Sequence, residues 1–140
     1  MLRPEWAQWV VAVLVAGACC YHVALLTGHA PWSEVWGGRL ERADRATRVR
    51  FEAVSLCVLA AVAAAALPPL RLRSTGRAVV LRCFTALFLL NTAGNLVARH
   101  TAERVLGTVA TLTTAVCLWL IADAVTPAAE ERSTGASTIA

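Results

Sequence analysis

Lysine is absent from this chain of 140 residues: all 13 basic side chains are arginine, set against 9 acids. Charge of either sign is scarce, at 16% of residues, where soluble domains carry about a quarter. With 58% of residues apolar, that scarcity excludes a soluble globular domain, because so short a chain cannot enclose enough core to hide them. It equally excludes disorder throughout, which needs low hydrophobicity and high net charge. The chain also lacks a Cys-x-x-Cys pair, a phosphate-cradling glycine loop, a nucleophile elbow and zinc-ligand spacing. Those absences leave no motif for redox, nucleotide, acyl-transfer or metal chemistry, and no nucleophile–base pair is evident, so the reading leans away from an enzyme. The net charge of +4 is read as membrane-facing arginine rather than a nucleic-acid footprint, and no cofactor is expected.

What is present is apolar runs of membrane length. No formal charge occurs from Trp6 to Ser33, which predicts a first span over 6–26. The alanine-rich run Phe51–Leu67 predicts a short second span with little tilt, ended by Pro68-Pro69. A third is expected over 78–98 and a fourth over 105–124. The runs are continuous rather than alternating, so helices are expected and a closed barrel is not. The fold class expected is therefore all-α, an integral membrane four-helix bundle in one domain over 1–125. Hydrophobicity continues through Leu26, well past the small residues before Cys19, so the first span is not read as a cleaved leader. The polar tail 126–140 (TPAAEERSTGASTIA) is expected to be disordered.

Four spans put both termini on one side, A, and the connections 27–50 and 99–104 on the other, B. Arginine counts near the span ends are almost balanced. The purely basic loop PLRLRSTGR on side A, against arginines mixed with acids on side B, points to cytoplasmic termini in a bacterial inner membrane. The first connection divides in two. Residues 28–38 combine Trp32 and Trp36 with Pro31 and Gly37-Gly38, which reads as an interfacial turn. From Arg39 the sequence reads as an amphipathic helix lying along the membrane, with Trp36, Leu40, Ala43 and Thr47 on one face. Glu41–Arg45, Asp44–Arg48 and Arg48–Glu52 then stand at ion-pair spacing.

Polar side chains inside a membrane are costly, so each is a candidate for function. His22, about one turn inside the side B end of the first span, matches Glu52 and Asn95 in depth, and the three are expected to approach a common pocket open to side B. In that pocket His22 would carry a proton or donate a hydrogen bond, with Glu52 as its charge partner. The structural alternative is an interfacial histidine beside a helix-start glutamate. Asn91 and Asn95, four apart, are expected on one helix face opposite Thr111 and Thr114, which share a small-residue face with Gly107. They read either as interhelical glue or as ligand contacts. Trp32, Trp36 and Arg39 complete the candidate ligand-binding set. Arg82 and Asp123 match in depth near side A and read as a structural ion pair. Arg99, Glu103 and Arg104 mark the boundary between spans three and four. The five cysteines read as small hydrophobes, although Cys20 matches Cys57 in depth and Cys83 matches Cys117. His22, His29 and His100 have no mutual spacing for haem.

The stretches GHAPWSEVWGGR, TRVRFEAVSL and LLNTAGNLVARHTAERVLGTV resemble a group of small bacterial four-span membrane proteins, over most of residues 20–125. The resemblance rests on Pro31, Trp32, Gly37, Gly38, Arg39, Asn91, Glu103 and Arg104. His29 interrupts the expected Gly-Ala turn, and His100-Thr101 stands where a serine is usual. The resemblance implies the four-span topology and supplies no reaction. Two readings of function stand side by side. One is a binding or transport module with a polar pocket on side B for a small polar ligand, in a chain that is a homo-oligomer or has a larger membrane partner. The other is an accessory subunit without a ligand, which would leave a small-residue face uncovered: either Gly107, Thr111 and Thr114, or Ala16 and Cys20.

Overall fold

The computed structural model describes residues 5–32, 35, 39–67 and 74–126. Trp36, Gly37-Gly38, Pro68-Pro69, Arg71, Arg73 and all of the tail beyond Thr126 lie outside them. The described chain is an all-α four-helix bundle: α1 (Glu5–Leu26), α2 (Arg45–Ala66), α3 (Ser74–Leu96) and α4 (Thr108–Val125), the last continuing a π-helical turn at Glu103–Gly107. Each span, of 22 or 23 residues, is long and apolar enough to cross a membrane. A 22-residue helix rises about 33 Å, which matches a hydrocarbon layer of about 30 Å.

The helix ends follow from local chemistry. α1 stops because Gly28 adopts φ 79°, open to glycine at no steric cost. The amide of His29 then bonds back to Ala24 O at 2.8 Å and that of Gly28 to Leu25 O at 3.2 Å. This paired arrangement satisfies the last carbonyls. α2 stops because Leu67 turns extended (φ −92°, ψ 144°), as a residue ahead of proline is driven to do.

The start of α2 corrects the sequence reading. No separate amphipathic helix runs from Arg39: residues 39–43 form turns and a bend, and a single helix starts at Arg45 and continues through the span. Asp44 is the reason. Its carboxylate accepts the Thr47 amide at 2.6 Å, capping the helix at that point. The helix that carries the second apolar run is therefore 22 residues long, and its first two turns carry arginines.

The helices alternate in direction, as their contacts require. The end of α1 meets the start of α2 at His22–Glu52, and the start of α4 meets the end of α3 at Asn95–Thr111. Between α2 and α3 the link is Arg77, whose guanidinium donates to Ala65 O at 2.8 Å and Ala66 O at 2.9 Å, carbonyls that α2 itself leaves unpaired. α3 and α4 pack most closely, and α1 touches both α2 and α4. The core is concentrated toward side A: Ala7, Val11 and Val15 of α1, Leu59, Val62, Ala65 and Ala66 of α2, Leu81 and Phe88 of α3, and the α4 run from Ala115 to Ala122. Alanines on α2 let its backbone come close, which is how helices gain contact where lipid supplies no hydrophobic drive.

Candidate functional site

The inward stripe of α1 runs Ala7, Val11, Val15 and then, two turns on, His22; that of α2 runs Ala66, Val62, Leu59 and then, two turns back, Glu52. At the side B end of the core both helices thus place a polar residue where the pattern calls for an apolar one. The two meet. His22 Nδ1 and Glu52 Oε2 are in close hydrogen-bonded contact, so one proton lies between them whichever atom holds it. Glu52 is fully buried, whereas the His22 side chain retains 19% exposure. The imidazole is therefore the accessible half of the pair. The other carboxylate oxygen, Glu52 Oε1, is buried and has no hydrogen-bond partner. A buried carboxylate oxygen left empty costs on the order of 1–3 kcal/mol.

The remaining candidate residues fall into separate groups. Asn95 lies across the α3–α4 seam, its Nδ2 at 3.4 Å from Thr111 Oγ1. Thr111 donates to Gly107 O at 2.7 Å, and Thr92 Oγ1 stands 2.8 Å from Thr111 Oγ1. Gly107 is what admits the asparagine, since a Cβ there would come within 2.9 Å of Asn95 Nδ2. The π-helical turn Glu103–Gly107 ends at this glycine, and α4 continues from it. Buried Thr108 Oγ1 in the same region has no partner. Among the described residues no hydrogen bond joins this network to His22 and Glu52: the pair lies on the α1–α2 seam and the network on the α3–α4 seam. The face of Gly107, Thr111 and Thr114 is covered by α3 or packed within α4, with both threonines buried. Ala16, Gly17 and Cys20 are exposed.

Asn91 does not share the environment of Asn95. A four-residue step turns a helix by about 40°, and that rotation carries Asn91 off the α4-facing side to an exposed position. Arg39 is exposed in the loop turn, and Trp36 lies outside the described residues. Trp32 packs beneath Arg48, whose guanidinium carbon lies 5.2 Å from the ring centroid.

Arg48 was not among the candidate site residues, and it organises the loop. Its Nε donates to Leu40 O at 3.0 Å and its Nη2 to Glu41 O. The i,i+4 spacing to Asp44 and Glu52 points to ion pairs along the helix, but Asp44 is engaged by the Thr47 amide and Glu52 by His22. Arg48 therefore ties the turn at 39–43 and the Trp32 ring to the start of α2. The signal available in the sequence was an arginine 16 residues after Trp32 and four after Asp44, and it is weak.

At side A, Arg82 Nη2 lies 3.4 Å from Asp123 Oδ1, with both side chains about half exposed, and the guanidinium also stacks on Trp119. This is a long, single contact near a helix end. All five cysteines are free. Among the described residues, no group of three or more His, Cys, Asp or Glu is placed to hold a metal ion. A groove bounded by Trp9, Val10, Val13 and Leu14 on the side A half of α1 is apolar and remote from the His22–Glu52 pair.

No protein-family model matches the chain, and no curated protein or solved structure matches it.

Proposed function

We propose that this chain is a membrane-embedded binding or transport module whose site is the His22–Glu52 pair, open to side B, and whose ligand is a small cation bearing N–H donors. The observation that carries the reading is the unpartnered Oε1 of a fully buried carboxylate. A pair kept only for structure has no use for a spare acceptor in a medium that offers it nothing. An N–H donor satisfies that oxygen, and a positive charge compensates the carboxylate once its proton leaves. Binding is then an exchange: the cation takes Glu52, and the proton shared with His22 departs through the exposed part of the imidazole. Charge is conserved in the step, since one positive charge enters and one leaves.

Four apolar helices and the basic side A loop support placement in a bacterial inner membrane with cytoplasmic termini, which makes side B the outer face. The resemblance of the Pro31-Trp32 and Gly37-Gly38-Arg39 stretches to small bacterial four-span proteins agrees with that placement.

The test is native mass spectrometry of the protein purified in mild detergent, comparing wild type with Glu52→Gln and Asn95→Ala. A co-purified cation lost in Glu52→Gln and retained in Asn95→Ala supports the reading. Loss in Asn95→Ala alone moves the site to the α3–α4 seam. A ligand-free chain that is recovered only with another membrane protein makes it an accessory subunit.

A further inference from the structure

Asn91 lies five residues before the end of α3 and eight before Arg99, the first charge beyond it, so it stands about 12 Å inside the charged boundary. Its side chain is exposed on the outer surface of the bundle and makes no hydrogen bond to any described residue. Lipid chains offer no partner to an amide, which carries two donor hydrogens and an acceptor oxygen. Around it the surface is built for close approach. Leu87, one turn before, is exposed, and Gly94, one turn after, has no atom within 4 Å of the position a Cβ would take. Leu87, Asn91 and Gly94, all exposed, stand at steps of four and three, the spacing of a helix–helix seam.

We propose that this face of α3 is a homodimer interface in which the Asn91 amides of two copies hydrogen-bond to each other. The occupant follows from the chemistry of the group. An amide is complementary to itself, so about a two-fold axis each Asn91 donates to the oxygen of the other, and one contact satisfies both copies. A cationic or anionic partner would leave half of the amide unused. Gly94 removes the side chain that would otherwise hold the two helices apart at that level. The interface is distinct from the His22–Glu52 pair, and it stands whether or not that pair binds a ligand.

The test reads dimerisation of fluorescently labelled full-length protein in liposomes by energy transfer over a range of protein-to-lipid ratios. Wild type forms a dimer, and Asn91→Leu, which is fully compatible with lipid, weakens it about tenfold, since intramembrane hydrogen bonds contribute modestly each. Asn91→Gln restores a large part of the loss. Which face is used is read by oxidative cross-linking in a background with the five cysteines replaced. Leu87→Cys cross-links; Leu89→Cys, also exposed but about 200° around the helix, does not. A protein that is monomeric at every ratio, a dimer indifferent to Asn91→Leu, or cross-linking at 89 that equals or exceeds that at 87 overturns the proposal.

Discussion

Replacing His22 with leucine should destabilise the bundle far more than replacing His22 and Glu52 together. In the single variant, Glu52 remains fully buried with both carboxylate oxygens unpartnered. Breaking a buried pair in this way costs about 3–5 kcal/mol. Glu52→Leu is milder. It leaves an imidazole that still reaches solvent through its 19% exposure, so the expected loss is about 1–2 kcal/mol. In His22→Leu/Glu52→Leu, two apolar side chains extend the stripes of Val15 and Leu59 by two turns, and such replacements are neutral or stabilising. The assay is equilibrium unfolding of the detergent-solubilised protein, with the four free energies closed into a double-mutant cycle. A coupling of about 3 kcal/mol or more is expected. Additivity within about 0.5 kcal/mol would refute the reasoning, because it would mean the two side chains do not share a proton inside the bundle. The double variant has a second use. It is predicted to fold at least as well as wild type while losing any cation that wild type binds, which separates a site from a structural pair.

Gly107→Ala should cost about 1 kcal/mol, the strain of a Cβ placed 2.9 Å from Asn95 Nδ2 outweighing the helix-propensity gain; in an Asn95→Ala background the same substitution should become stabilising, and an unchanged sign counts against the packing described. Arg77→Ala removes both donors to Ala65 O and Ala66 O and should lower stability by about 2 kcal/mol, with Arg77→Lys recovering part of it in the same unfolding assay. Asp44 has its pKa held below the ordinary 3.8, chiefly by the Thr47 amide hydrogen bond. A lowered folded-state pKa means that the cap is fully in place above the ordinary carboxylate value and is lost as pH falls through the depressed one. Amide exchange in the first turn of α2 should therefore accelerate only below about that range, and Asp44→Asn should keep the cap while abolishing the pH dependence.

Long apolar runs with at most one charge each made the four helices legible, because lipid leaves the backbone of such a continuous run no alternative to a helix. Their ends were less legible for a specific reason. The second apolar run begins at Phe51, but the helix begins six residues earlier, where Asp44 caps it, and the arginines of that extension looked like a separate element. Apolar length reports where lipid begins, while capping reports where the helix does. Depth matching by helical rise paired His22 with Glu52 and Arg82 with Asp123 in advance of coordinates. The four-residue spacing put Asn91 and Asn95 on one face, but four residues overshoot a turn by about 40°, enough to leave Asn91 exposed and Asn95 half-buried. The π-helical turn and the role of Gly107 had no signature in composition or period at all.

Two of the polar groups for which this chain offers no partner among its described residues lie on opposite kinds of surface. Glu52 Oε1 faces inward and is sealed from water; the Asn91 amide faces outward into what would be lipid. Neither environment can hydrate them, and both sequence positions would accept a leucine without disturbing the helix that carries them. Retaining a polar side chain at either place lowers the stability of the isolated monomer, so the compensating interaction has to come from outside it. The geometry of each group says what kind. An enclosed single acceptor beside an ionisable imidazole suits a small donor that enters and leaves, whereas an exposed amide beside an open glycine suits a second helix that stays. On the two proposals above, the inward group is the site of exchange and the outward one the contact that assembles the dimer.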